Sequence, residues 1–542
     1  MEITQLKLPQ TNPLASDYMN GDEKVLSFFD YDYRDPSCFE SRLQELQQTS
    51  FPRESLAEVL RAFQSRYGAD QKAFDNIEKL EHRKAVTVVG GQQAGVLTGP
   101  FYTIHKCLSI LKLAEQLEDR LHVPVVPIFW IAGEDHDFEE INHTYVLEDS
   151  GVKKMSVPGA VPQKQSASET NLDNKRLKSW VKEVVRCFGE SEHTNDLLQL
   201  LEDTLNRSKT YVDWFAHLLT HLFSKRGLVM MDSGDPRLRS IEKPFFRHMI
   251  QENEALNERV IVQMERLQTA GYVPTVDVNE RSAHLFYLLK GRRVLLERDE
   301  RGLFRGKNGE CSFTEQQMLK LLEDENVPFS NNVITRPLMQ EQLLPTIAFI
   351  AGPGEISYWS TLQGAFRQID RRVPPIVPRL TITLVDRKSK KWLAEHGLSV
   401  EDVMYGKLQA MKARWLERRR SWDLQSTSRQ VKKELDDVHA QLRALADQVD
   451  PKGLTPIANK NREHLFKQID YFAWQIERAF RGRHEKVLKH FDRIEACLTP
   501  KETPQERVWN VFAFMNEYGL DLVDRLVEQP YEFDGTHKVI YL

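Results

Sequence analysis

AVTVVGGQQAGVLTGPFYTIHK, residues 85–106, decides how this chain is built. Its first five residues form an apolar, β-branched run with no polar face for water, the pattern of a strand covered on both sides in a parallel sheet. The glycines that follow, Gly90, Gly91, Gly95 and Gly99, permit a tight turn and a close approach of backbone to a ligand. A helix opening near Tyr102 would add free amide groups that attract anions. The stretch predicts strand, glycine turn and helix, with Gln92, Gln93, Thr98, Tyr102, His105 and Lys106 as candidate binding or catalytic residues. It carries neither GxGxxG nor GK[ST], so no particular nucleotide loop is read from it.

The same grammar repeats outward from there. VPVVPIFWIAG, residues 123–133, reads as a second buried strand and runs directly into Glu134, Asp135, His136 and Asp137. Strand, helix and strand joined by short turns make a right-handed parallel crossover, and ligands gather at the carboxyl ends of such strands. The glycine turn and the acidic cluster are therefore expected on one rim. The cluster could hold a substrate ammonium, bind Mg²⁺ through its carboxylates, or act as acid and base. Its plain alternative is an acidic helix start favoured by the macrodipole. GLVMMDSG at 227–234, TIAFIA at 346–351 and residues 374–386 predict further strands, the second of them ending in Gly352, Pro353, Gly354 and Glu355. Just before it, SNNVITRP offers Asn331, Asn332 and Arg336, whose fixed fork of donors suits a carboxylate or phosphate.

The fold class expected is α/β, a Rossmann-like parallel-sheet core with inserted segments and a C-terminal α-helical antiparallel coiled coil. The divisions read as a helical lead-in at 1–80 and a core at 81–397, then a helical arm at 398–505 and a segment at 506–542 packing back on the core. The core holds insertions near 150–210, opening with a loop or flap at 150–172, and 272–330, containing a small antiparallel hairpin unit. In the arm, Val431, Leu435, Val438, Leu442, Leu445 and Val449 keep the heptad rhythm of a coiled-coil seam, answered after a Pro/Gly turn by Leu465, Ile469, Phe472 and Ile476. Such an arm predicts a homodimer.

Length and composition narrow the class. A chain of 542 residues implies two or three structural units. With 74 basic against 79 acidic residues and a net charge of −5, no general affinity for nucleic acid is expected. The N-terminus lacks a signal-like apolar run, so a cytoplasmic protein with no membrane partner is expected. Cys38, Cys107, Cys187, Cys311 and Cys497 are scattered and form no CxxC pair, so neither a disulfide framework nor a cysteine-built zinc site is read, and no metal ligands are assigned. His217 and His221 lack the Glu of HExxH and read as packing or surface histidines, and the basic run at 412–420 reads as a solvated helix face.

Taken together, GGQQAGVLTGPFYTIHK, PIFWIAGEDHDFEEIN, SNNVITRPLMQ, AFIAGPGEISYW and the C-terminal WNVFAFMNEYG resemble, over nearly the whole chain, the bacterial family that adds cysteine to glucosaminyl-malate in the last step of bacillithiol synthesis. The resemblance implies a core related to class I aminoacyl-tRNA synthetases, a dimerising coiled coil, and an ATP-dependent ligation in which the cysteine carboxylate is activated and attacked by the sugar amine. The HIGH signature of that class would fall on Tyr102, Thr103, Ile104 and His105, keeping only the histidine, and Lys388 with Ser389 and Lys390 would be a fragment of its KMSKS loop. His105, Asp135 and His136 are then the expected catalytic residues, with the other candidates binding substrate or nucleotide. The competing expectation is a coiled-coil scaffold or sensor with a degenerate nucleotide-binding domain.

Overall fold

Five runs of buried aliphatic residues meet in one parallel sheet: β1 (Val86–Gln92), β2 (Val125–Ile131), β3 (Val229–Asp232), β4 (Thr346–Ala351) and β5 (Ile376–Pro378). The structure is a computed structural model and describes residues 1–8, 12–148, 151–159, 165–324 and 327–542. β1 lies in the middle, in register with β2 from Val86↔Val125 to Gln92↔Ile131. The chain adds β2 and β3 on one side and then crosses to lay β4 and β5 on the other, giving the order β5-β4-β1-β2-β3 with every pair parallel. The reversal between β1 and β4 is the switch point at which open α/β sheets bind ligands. Helix α1 (Tyr102–Leu121) packs on β1 and β2.

Between β3 and β4 the chain inserts an antiparallel sheet of Ser282–Leu289, Arg292–Arg298, Phe304–Gly306, Ser312–Phe313 and Phe329–Asn331. It is wider than the small hairpin unit expected within 272–330, because Phe329–Asn331 adds to the open edge of Ser282–Leu289. Other differences arise from strand pairing, both local and distant in sequence. In the expected flap, Gly151–Ser156 is a strand paired with His143–Glu148, while 150 and 160–164 lie outside the described residues. The N-terminal lead-in is helical from Pro13 onward but begins with a strand, Glu2–Leu6, paired with His537–Tyr541. The last expected strand divides: β5 joins the parallel sheet, and Ile382–Val385 joins the sheet of the two terminal strands.

Two compact units result, Met1–Leu384 with Thr503–Leu542, and Val385–Glu502. The second is helical, and its elements include α2 (Arg387–His396), α3 (Leu424–Val449), α4 (Leu454–Arg483) and α5 (Glu485–Leu498). α3 and α4 run antiparallel and meet through polar groups, with Lys432 Nζ donating to Asp470 Oδ1 at 2.5 Å, His439 Nε2 beside Asn461 Oδ1 at 3.0 Å, and Arg462 and Arg443 both on Asp436. Most of the expected seam faces water instead: Val431, Val438, Leu442, Leu445 and Val449 are exposed, as are Ile457, Tyr471, Phe472 and Trp474 of α4. No helix among the described residues is long and apolar enough to cross a membrane.

Candidate functional site

The carboxyl ends of β1, β2, β3 and β4 open into a cavity of about 870 Å³, walled on its far side by the inserted antiparallel sheet. Gly91, Gln92 and Gln93 come from the end of β1; Glu134, Asp135 and His136 follow β2; Gly352, Gly354 and Glu355 follow β4; and Asn331, Asn332 and Arg336 enter beside the insertion. Tyr102 and Lys106 reach it from α1. Gly91 is where the backbone needs to be bare, since a Cβ there would stand 2.6 Å from the carbonyl oxygen of Trp130 on the neighbouring strand.

Five cations line this one cavity: Lys106, Arg293, Arg336, Arg379 and Arg507. Lys106 is fully buried, and burial lowers the proton affinity of its amine while the Glu355 carboxylate pulls it back up. Its Nζ donates to Glu355 Oε2 at 2.6 Å, the Gly91 carbonyl at 2.6 Å and Gln92 Oε1 at 3.3 Å, joining the ends of β1 and β4. Arg336 donates to the Tyr358 hydroxyl at 2.9 Å and lies 5.5 Å from the centre of the Phe349 ring. Arg293 stacks 4.0 Å above Phe286 and donates to Ser330 Oγ, the Asn331 carbonyl and, at 3.2 Å, His136 Nδ1. Because a guanidinium only donates, that contact makes Nδ1 an acceptor and puts the proton of the neutral ring on Nε2.

Carboxylates face these cations. Asp135 is oriented by Gln93, whose Nε2 donates to its Oδ2 at 2.6 Å, and by the amides of His136 and Asp137 on its Oδ1. Glu134, expected to be open to a substrate amine, is engaged instead by buried Arg239, which also pairs with Glu242. Among the described residues, three buried polar atoms in the lining have no protein partner, the Asn331 side-chain oxygen, the Trp130 indole nitrogen and the Arg379 Nε. The first accepts and the other two donate, so the cavity suits a polar ligand.

Several expected site residues lie elsewhere. His105 is fully buried and lines no part of the cavity. Its Nδ1 meets Glu506 Oε2 at 2.8 Å, and Glu506 pairs through its other oxygen with Arg379. Successive helical residues diverge by about 100°, so His105 shares a face with Phe101, whose ring centre is 4.5 Å away, while Tyr102 and Lys106 share the cavity face. Gly95, Thr98 and Gly99 form a turn that packs on the C-terminal segment: Asn510 Nδ2 donates to the Leu97 carbonyl at 2.6 Å and the Gly99 carbonyl at 2.7 Å. Thr98 and Gly99 have φ of 65° and 73°, which explains the glycine without a ligand. The amides expected to bind an anion there are engaged, Phe101 N donating to the Trp509 carbonyl and Thr103 N to that of Pro100. Asp137 caps the short helix Phe138–Ile141, and Glu140 of that helix lines the cavity in its place. Asn332 lines the cavity, and its side-chain oxygen accepts from the Ile334 and Thr335 amides in the turn before the helix Thr335–Leu343. Lys388 belongs to the second unit, exposed in the first turn of α2.

Arg293, Arg379 and Arg507 were not among the expected residues. Arg379 and Arg507 are lone basic residues in otherwise ordinary stretches, Arg293 is one of an adjacent pair with Arg292, and only tertiary contact gathers them. Glu506 holds Arg379 in place; burial works to raise its pKa, but Arg379 and His105 outweigh burial and hold it at about 2.

Comparison with known proteins agrees with this architecture. Residues 1–380 match the family profile described as bacillithiol biosynthesis BshC, N-terminal Rossmann-like domain, and residues 382–542 match that of the BshC C-terminal coiled-coil domain. A protein of Geobacillus sp. (strain WCH70) named "Putative cysteine ligase BshC" is 41% identical over 543 residues, all of both chains, and one of the same name from Bacillus cereus (strain Q1) is 40% identical over 542, again all of both.

Proposed function

The chain belongs to the BshC family of bacillithiol biosynthesis, and on that premise we propose that it is a ligase that joins the carboxylate of L-cysteine to the amine of glucosaminyl-malate, with ATP as co-substrate, in the last step of bacillithiol assembly. The observation that carries the reading is the mixed charge of one cavity: Lys106, Arg293, Arg336, Arg379 and Arg507 suit phosphate and malate carboxylates, and Asp135 suits an amine. ATP would supply the leaving group that a carboxylate lacks. Asp135, fixed by Gln93, is the group placed to accept the amine proton, and His136, with its ring proton on Nε2, acts as a hydrogen-bond donor. Lys106 and Arg336 would neutralise developing charge from a largely dry wall, where such contacts are worth most.

The same reading places the enzyme in the cytoplasm, in keeping with five cysteines scattered along the sequence, and makes it a homodimer through the arm, because the apolar seam of α3 and α4 is left uncovered by their own polar contact. The test is product formation. Purified protein given cysteine, glucosaminyl-malate and ATP should yield the cysteinyl product by mass spectrometry, and Lys106→Met should lower the rate by about 100-fold, the scale of one lost electrostatic contact to the transition state. Absence of product with the unaltered protein would overturn the reading.

A further inference from the structure

Away from the cavity, the helical unit gathers a second set of reactive side chains. Glu395 and His396 end α2, and His490 lies in α5, far away in sequence. One ligand atom from each, a carboxylate oxygen or a ring nitrogen, lies within 4.8 Å of the other two. The closest approach is between His396 Nε2 and His490 Nδ1, at 3.1 Å. Two nitrogens bound to one tetrahedral zinc at about 2.0–2.1 Å stand about 3.3 Å apart, so a small opening of the pair admits an ion where the ring proton now sits.

The two rings are held for that role by aromatic faces. His490 stacks on Trp392 with centres 4.5 Å apart and planes within 12°, and His396 stacks on Phe491 at 5.3 Å and 19°. Trp415 meets His396 edge-on at 6.4 Å. Such packing fixes ring direction before any ligand arrives, which lowers the ordering cost of binding. Glu395, exposed and paired with Lys391 only at 3.7 Å, is open to contribute its carboxylate.

We propose that Glu395, His396 and His490 form a binding site for a zinc-type transition-metal ion within the helical unit. Two imidazole nitrogens and one carboxylate oxygen suit Zn²⁺ and its neighbours over Mg²⁺ or Ca²⁺, which take oxygen ligands. Three protein ligands leave a fourth position for water or another small ligand. The ion would tie α2 to α5, and the proposal stands apart from the ligase reading.

The test uses the full-length protein after treatment with a chelator. Titration with Co²⁺, followed by its visible absorption, and with Zn²⁺, followed by calorimetry, should each show one equivalent per chain, with the absorption of a four- or five-coordinate nitrogen–oxygen site. Zn²⁺ should also raise the melting temperature. His490→Ala should abolish the equivalent. Because that change also removes a ring packed on Trp392, the exposed Glu395→Gln provides a second arm and should weaken binding about tenfold with an unaltered metal-free melting temperature. No saturable equivalent at about 0.1 mM metal, or one that survives unchanged in both variants and so belongs to others of the 16 histidines, would overturn the proposal.

Discussion

Behind the cavity, Arg379 and Glu506 pair with side chains only 5% and 4% exposed, whereas along the arm Arg462 and Asp436 make the same kind of pair with 36% and 31% of each side chain in water. The chemistry is alike and the consequences differ. A buried pair that loses one partner leaves a charge in a poor solvent, whereas an exposed pair that does so returns its partner to water. The arm can use charge to set the register of α3 against α4 and keep its apolar residues for another surface. The cavity has less latitude, because four of its five cations are fixed by specific acceptors: Lys106 by Glu355, Arg293 by Asn331, Arg336 by Tyr358, Arg379 by Glu506.

Acid should separate the two regions most strongly. His284 and His537 are buried in the first unit, and burial lowers the pKa of each to about 4. The unfolded chain therefore takes up these protons first: stability is at its full value above about 6.5, falls as the pH drops from there to about 4, and changes no further from this source below that. A shift of this size is worth about 3 kcal/mol for each histidine. In the arm, Asp436 is held at about 2 by Arg462 and Arg443 and keeps its charge over the same range. Hydrogen exchange read by mass spectrometry between pH 7 and pH 4 should show protection falling in the two strands that carry these histidines, Ser282–Leu289 and His537–Tyr541, before α3 and α4. Equal loss in both regions would remove the distinction.

A single substitution comes next. Glu506→Ala strands both Arg379 and His105 and should cost about 3–5 kcal/mol in denaturant unfolding, on the scale of a broken buried pair. A loss below about 1 kcal/mol would mean that water reaches the pair. The smallest effect on folding is expected in the arm. Val438→Glu combined with Leu442→Glu places charge on residues already 66% and 62% exposed, so helix content should persist while sedimentation of the proposed homodimer should change to that of a monomer. A dimer that survives the double change would place the interface elsewhere.

The same contrast explains what could be read from the sequence. The parallel strands were legible because burial on both faces leaves an uninterrupted apolar run, and their glycine and acidic ends fell on one rim because the carboxyl ends of parallel strands share one edge. The arm's heptads were legible for a similar reason, although a heptad pattern does not say which surface it covers, and here it is largely not the partner helix. Arg379 and Arg507 escaped because their meaning depends on contacts across long sequence separations; Glu506 and His105 are 401 residues apart. The adjacent pair His105 and Lys106 looked equally suited to the site, and helical geometry, which can turn only one of two neighbours toward a cavity, separated them.

The path of the chain has a consequence for its synthesis. Residues 385–502 interrupt a unit that is completed only by 503–542, and the returning segment carries Glu506, Arg507 and Asn510. A ribosome must therefore finish the entire arm before the carboxylate that anchors Arg379 leaves the exit tunnel. A message truncated anywhere within the arm yields a sheet with a cationic wall still unanchored, so the unit that holds the cavity cannot be completed ahead of the helical unit.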